Sequence, residues 1–210
     1  MTHRGSYDRM VLFSDAVFGV LITVLVLELR PPRSASLASL LDLWPTAVSY
    51  ALSYLFVATV WINYHNLLRH TRTVTRLLIW ENFAHLFSTS LLPFTTAWMA
   101  QSRMAAWPTM LYSAAFVLVN ATYVLLQRRI LRDIPTEVVT RKERTTIERL
   151  SRLTLRLLVL AVIASPASPV VGITIITGCM AFYLLRDDSV NRFHSSSFDE
   201  MAMRGGLPEH

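Results

Sequence analysis

Arg9 to Leu29 reads R-M-V-L-F-S-D-A-V-F-G-V-L-I-T-V-L-V-L-E-L. A stretch this long and this apolar spans the hydrocarbon core of a bilayer, which takes roughly 20 mostly apolar residues at about 1.5 Å of rise each. Yet it carries Ser14 and Asp15 near its start. An ionisable side chain at membrane depth costs about 2.5–3.5 kcal/mol on insertion scales, and it faces a partner or a water path rather than lipid. Asp15 is therefore expected to be either a working part or a buried structural lock.

The rest of the chain agrees with a membrane setting. Of its 210 residues 53% are hydrophobic and 16% charged, and the mean hydropathy is +0.41. That leaves too few polar residues to coat a soluble globule of this size. The net charge of +6 raises the possibility of a nucleic-acid partner, but the basic residues fall between apolar runs. Such placement belongs to the positive-inside rule, so no nucleic-acid partner is expected. Cys179 is the single cysteine and can form no intrachain disulfide. Leu27-Glu28-Leu29-Arg30-Pro31-Pro32 lacks a signal-peptidase pattern, so the first span is expected to be retained.

With prolines, charges and tryptophans as punctuation, six apolar stretches emerge at about residues 10–29, 46–68, 77–100, 105–127, 153–165 and 169–185. The expected fold class is an all-α integral membrane protein whose six transmembrane helices occupy residues 1–186. Residues 187–210, rich in Ser, Asp, Asn and Gly, read as a disordered cytoplasmic tail. Arg4 and Arg9, the 69–76 loop, the 128–152 loop, and Arg186 with the tail together hold sixteen Lys and Arg, against Arg30, Arg33 and Arg103 on the other side. Both termini should then be cytoplasmic, with Trp44, Trp98 and Trp107 near the outer interface. In the basic 128–152 loop, Thr140 with Glu143 and Thr145 with Glu148 have capping-box spacing. They point to a fifth helix that starts in the cytoplasm and enters the membrane near Leu153, with Arg149, Arg152 and Arg156 on one side. Pro93 is placed to kink the third helix.

On a helical wheel at about 100° per residue, Arg9, Phe13, Ala16, Val24 and Leu27 fall within about 40° of Val20, Thr23 lies beside them, and Asp15 points away. An aliphatic stripe of this kind reads either as a packing or lipid-facing surface, or as a hydrophobic constriction on a symmetry axis. For Asp15, matching depth along the helices proposes Trp61 and His65 on the second helix and Asn82 with His85 on the third. With Ser14 they would make an interhelical polar clamp or a proton relay. No T-V-G-Y-G filter, P-loop, metal-ligand spacing or nucleophile elbow occurs, so enzyme chemistry and a cofactor have no support.

Arg9-x-x-x-Phe13-Ser14-Asp15 followed by Ala16-Val17-Phe18 and Ile22-Thr23-Val24-Leu25-Val26-Leu27-Glu28-Leu29 resembles the first helix of the transmembrane protein 175 potassium channel family. Trp61-Ile62-Asn63-Tyr64-His65 looks like its second-helix motif, and Asn82 through Ser90-Leu91-Leu92-Pro93-Phe94 looks like its third helix. The resemblance implies a homotetrameric, potassium-permeable channel of a bacterial plasma membrane, without a carbonyl filter and with helix one lining the pore. Val20, Val24 and Leu27 would form the constriction and Thr23 a hydroxyl layer near transient potassium. Arg9, Phe13, Ser14, Asp15, Trp61, His65 and Asn82 would belong to the structural signature and clamp. Tyr64 stands where the family often has a second histidine. The alternatives are a proton-coupled transporter using Asp15 and His65, or a non-conducting scaffold.

Overall fold

A computed structural model describes residues 3–32, 34–71, 73–134 and 141–182. Among these the regular structure is helical: α1 His3–Leu27, α2 Leu37–Leu41, α3 Trp44–Leu68, α4 Arg76–Ser90, α5 Leu92–Gln101, α6 Ala106–Asp133, α7 Arg141–Ala164 and α8 Pro169–Phe182. α1 stops ahead of Arg30-Pro31-Pro32, where proline disfavours helical geometry in the residue before it. Pro45 enters α3 in the first turn, where its missing N–H costs nothing. Thr75 caps α4 by accepting a bond from the Leu78 amide at 3.2 Å. Arg103 and Met104 turn the chain from α5 to α6 in the left-handed region, with φ of 51° and 60°, a conformation that costs non-glycine residues energy.

Cross-helix bonds set the direction of each element. Tyr7 near the start of α1 bonds to the Leu68 carbonyl at the end of α3. Tyr64, near the end of α3, meets Asn82, near the start of α4. Glu81 of α4 meets Arg129 near the end of α6, Gln127 toward the end of α6 meets Ser151 in the first half of α7, and Ser113 near the start of α6 meets Ser165 just beyond α7. The long helices therefore alternate in direction. α6 is the hub, packing against α3, α4, α5 and α7, while α1 lies along α3, α4 and α5. Gly172 of α8 faces Ser165 Oγ and the Ala161 carbonyl so closely that a Cβ would collide with the serine. That absence lets α8 fold back on α7.

Several sequence expectations change in detail. The third apolar stretch is two helices, α4 and α5, separated at Leu91. Pro93 is the cause, because it has no N–H for the Thr89 carbonyl and its ring crowds that carbonyl. The fourth stretch continues through its arginines to Asp133. α7 is helical from Arg141 and runs unbroken past Leu153, in keeping with a helix that begins before that point. Thr145 is thus inside it, donating to the Arg141 carbonyl at 2.8 Å rather than capping a helix start. α2 was not anticipated. α1, α3 and α6 are each long and apolar enough to cross a membrane, whereas α8 is a shorter apolar helix. The other expected spans are split by Pro93 or carry the arginines of α7. Thr140 and the 187–210 tail lie outside the described residues.

A locked face and a bare face on the first helix

Met10, Ser14, Phe18, Leu21 and Leu25 recur at helical spacing on α1, and all five are buried. Ser14 Oγ donates to the Met10 carbonyl at 2.9 Å and accepts from Asn82 Nδ2 at 3.0 Å. Asn82 Oδ1 in turn accepts from the Tyr64 hydroxyl at 2.7 Å. Ser14 and Tyr64 have no exposed surface and Asn82 almost none. One chain of hydrogen bonds therefore joins α1, α4 and α3 where no water can substitute for it. The Tyr64 ring packs on Phe18, with centroids 5.4 Å apart, and on His85 at 5.7 Å.

Asp15 lies on the shoulder of this seam and is half-buried. Trp61 Nε1 donates to its Oδ1 at 2.9 Å, so the carboxylate does find a partner on α3. His65 stacks on the Trp61 indole, with centroids 5.5 Å apart. Among the described residues no hydrogen bond links it to Asp15. Of the expected set, the structure thus brings together Ser14 with Asn82 and Asp15 with Trp61, and leaves His65 touching only through the indole. His85 faces α6 instead, with Nδ1 3.0 Å from Thr122 Oγ1. Phe13 meets Phe83 of α4 edge-on at 5.6 Å. Arg9 is exposed.

The opposite face of α1 is uncovered. Phe13, Ala16, Val20, Thr23 and Leu27 are exposed, Val20 by 59% and Leu27 by 75%. Val24 is half-buried. The exposed arc, which also takes in Leu12, Gly19 and Val26, centres between Ala16 and Thr23, about 50° from Val20 on the wheel. Thr23 Oγ1 donates to the Val20 carbonyl at 2.8 Å, which commits its proton to its own helix.

Sequence reasoning missed several cross-helix polar contacts among the described residues, two of them prominent. Ser53 Oγ lies 2.7 Å from Thr96 Oγ1 and 2.9 Å from the Tyr112 hydroxyl, tying α3, α5 and α6 together in a buried group. Such hydroxyls are too common in apolar helices to stand out. Arg129 Nε meets Glu81 Oε2 at 2.5 Å. Here the signal existed, since an acid one turn into the third span and a base at the end of the fourth share a depth.

This arrangement, antiparallel apolar helices around a buried polar seam, defines a helical membrane protein. Residues 9–93 match the family model of the endosomal/lysosomal potassium channel TMEM175. A potassium channel of Chryseobacterium sp. (strain P1-3) is 34% identical over 124 residues, 59% of this chain and 65% of that protein. One from Chamaesiphon minutus is 30% identical over 115 residues, 49% of this chain and 57% of that protein. The chain thus spans between about half and two thirds of the curated relatives it matches. The crystal structure of a lysosomal potassium-selective channel TMEM175 homolog from Chamaesiphon minutus aligns with a TM-score of 0.78 over 87% of this chain and 98% of that one, at 24% identity. Over residues 9–93 the chain is similar to the TMEM175 family, and it has the fold of the Chamaesiphon minutus homologue.

Proposed function

We propose that the chain forms a potassium-permeable channel in a bacterial plasma membrane as a homotetramer, with α1 of each subunit around a central pore and both termini cytoplasmic. The observation that carries the reading is the asymmetry of α1: its polar residues are locked inward on α3 and α4, while an apolar face with one hydroxyl is left bare. Around a four-fold axis, Val20 and Leu27 would narrow the path and exclude water, with Val24 at the margin where neighbouring subunits meet. An apolar neck of this kind gates by dewetting. Thr23, whose proton is returned to its own helix, would offer an oxygen to a partly dehydrated cation. Similarity to bacterial potassium channels supports potassium as the permeant ion.

A proton relay through Asp15 and His65 requires a hydrogen-bonded path between them, and the geometry offers a carboxylate held by an indole instead. The test is potassium flux from liposomes containing the purified chain. Val20→Asn and Leu27→Asn are expected to wet the neck and raise resting flux at least several-fold. Wild-type flux in both variants, or no flux from any protein, would overturn the pore assignment.

A further inference from the structure

Arg141, Lys142, Arg149, Arg152 and Arg156 fall within about 100° of one another on the α7 wheel, and all five are exposed. The buried residues Ser151, Thr154, Leu158 and Ala161 lie on the opposite side, against α6. Further along the basic side the helix turns apolar: Val159, Leu160 and Ile163 are exposed by 41%, 50% and 69%. The same outward surface is thus cationic for its first turns and greasy for its last two. Arg152 Nε donates to the Glu148 carbonyl at 3.2 Å, and its guanidinium lies a loose 4.0 Å from the Glu148 carboxylate. Arg149 and Arg156 form no hydrogen bond or ion pair among the described residues.

Arg156 is only eight residues, about 12 Å, from the end of α7 at Ala164. A bilayer core is about 30 Å thick. A hairpin of α7 and α8 deep enough to enter the core therefore sets Arg156 at or below the ordinary headgroup level. A guanidinium there is tolerated only if its stem carries the charge to a polar partner. Phosphate suits it, since the planar fork takes two oxygens at once.

We infer that the outward face of α7 is a docking site for an anionic phospholipid of the same bilayer, with the headgroup phosphate held by Arg149, Arg152 and Arg156 and the acyl chains lying on Leu160 and Ile163. Charge complementarity selects the occupant: a cationic patch continuous with an apolar strip matches an anionic headgroup continuous with its chains, which neither a free anion nor a zwitterionic lipid reproduces. The site is independent of the pore reading, because its readout is bound lipid rather than ion flux.

The test uses the full chain in mixed micelles of phosphatidylglycerol and phosphatidylcholine, with retained lipids identified by native mass spectrometry. Wild type is expected to retain phosphatidylglycerol preferentially. Arg156→Gln, an exposed position that leaves the core untouched, should lower that preference about fivefold, near the worth of one basic residue at an anionic surface. Arg156→Lys should restore part of it. The triple variant Arg149→Gln/Arg152→Gln/Arg156→Gln should abolish it, and Arg128→Gln/Arg132→Gln on α6 should leave it in place. Unchanged preference in the triple variant overturns the site. So does equal loss in the α6 control, which would mean a diffuse charge effect, or displacement of the lipid by inorganic phosphate at matched ionic strength, which would mean a simple anion site.

Discussion

The two faces of α1 are made from one sequence pattern and treated in opposite ways. On one, Ser14 is enclosed and its hydroxyl is used twice, by Asn82 and by the Met10 carbonyl. On the other, Val20 and Leu27 touch little and Thr23 bonds only to its own helix. The contrast teaches that polarity in this helix marks the structural side. A buried hydroxyl needs a partner that the fold must supply, whereas valine and leucine need only something to exclude water.

The contrast can be broken most severely at Asn82. In Asn82→Leu the Tyr64 hydroxyl and Ser14 lose their shared amide inside the bundle. Leaving buried polar groups unpaired costs about 1–3 kcal/mol, so thermal unfolding in detergent should show a clear loss of stability. An unchanged melting temperature would show that the seam is not what fixes α1.

Smaller effects are expected on the shoulder. Asp15→Ala strands the exposed Trp61 indole, which water can partly satisfy, and should cost about 1 kcal/mol. Asp15→Asn still presents an oxygen to the indole and should cost less than half as much. His65→Ala removes a ring contact and should resemble Asp15→Asn. Equal losses for Asp15→Ala and Asp15→Asn would mean that charge, and not the hydrogen bond, holds this corner. Least of all should Val20→Ala change subunit stability: within about 0.5 kcal/mol, as for surface substitutions generally. A larger loss in the isolated subunit would mean that this face is packed after all.

Much of this was legible in the sequence. The span from Arg9, the turning of Asp15 away from Val20, and the break at Pro93 follow from helical periodicity and proline geometry. What depth matching cannot supply is azimuth. Tyr64 and His65 stand at nearly the same height, but about 100° apart around α3, and it is Tyr64 that turns inward to Asn82. The same limit applies to Val24, which shares the wheel face of Val20 and is half-buried: periodicity names a face, and only the neighbouring helices decide where its centre lies. The hydroxyl cluster of Ser53, Thr96 and Tyr112 depends on three helices meeting, a fact no single helix encodes. Thr145 shows the opposite limit, a local capping pattern overridden because the helix had already begun at Arg141.

The break at Leu91 divides more than a helix. α4 carries Asn82, which grips α1, and α5 carries Thr96, which joins the distant cluster with Ser53 and Tyr112. Because the backbone ladder is interrupted between them, the two grips are joined by a pivot rather than a rod. The inner support of α1 and the hydroxyl cluster near the other end of the bundle therefore belong to separate helices, although both lie in what reads as a single apolar stretch of sequence.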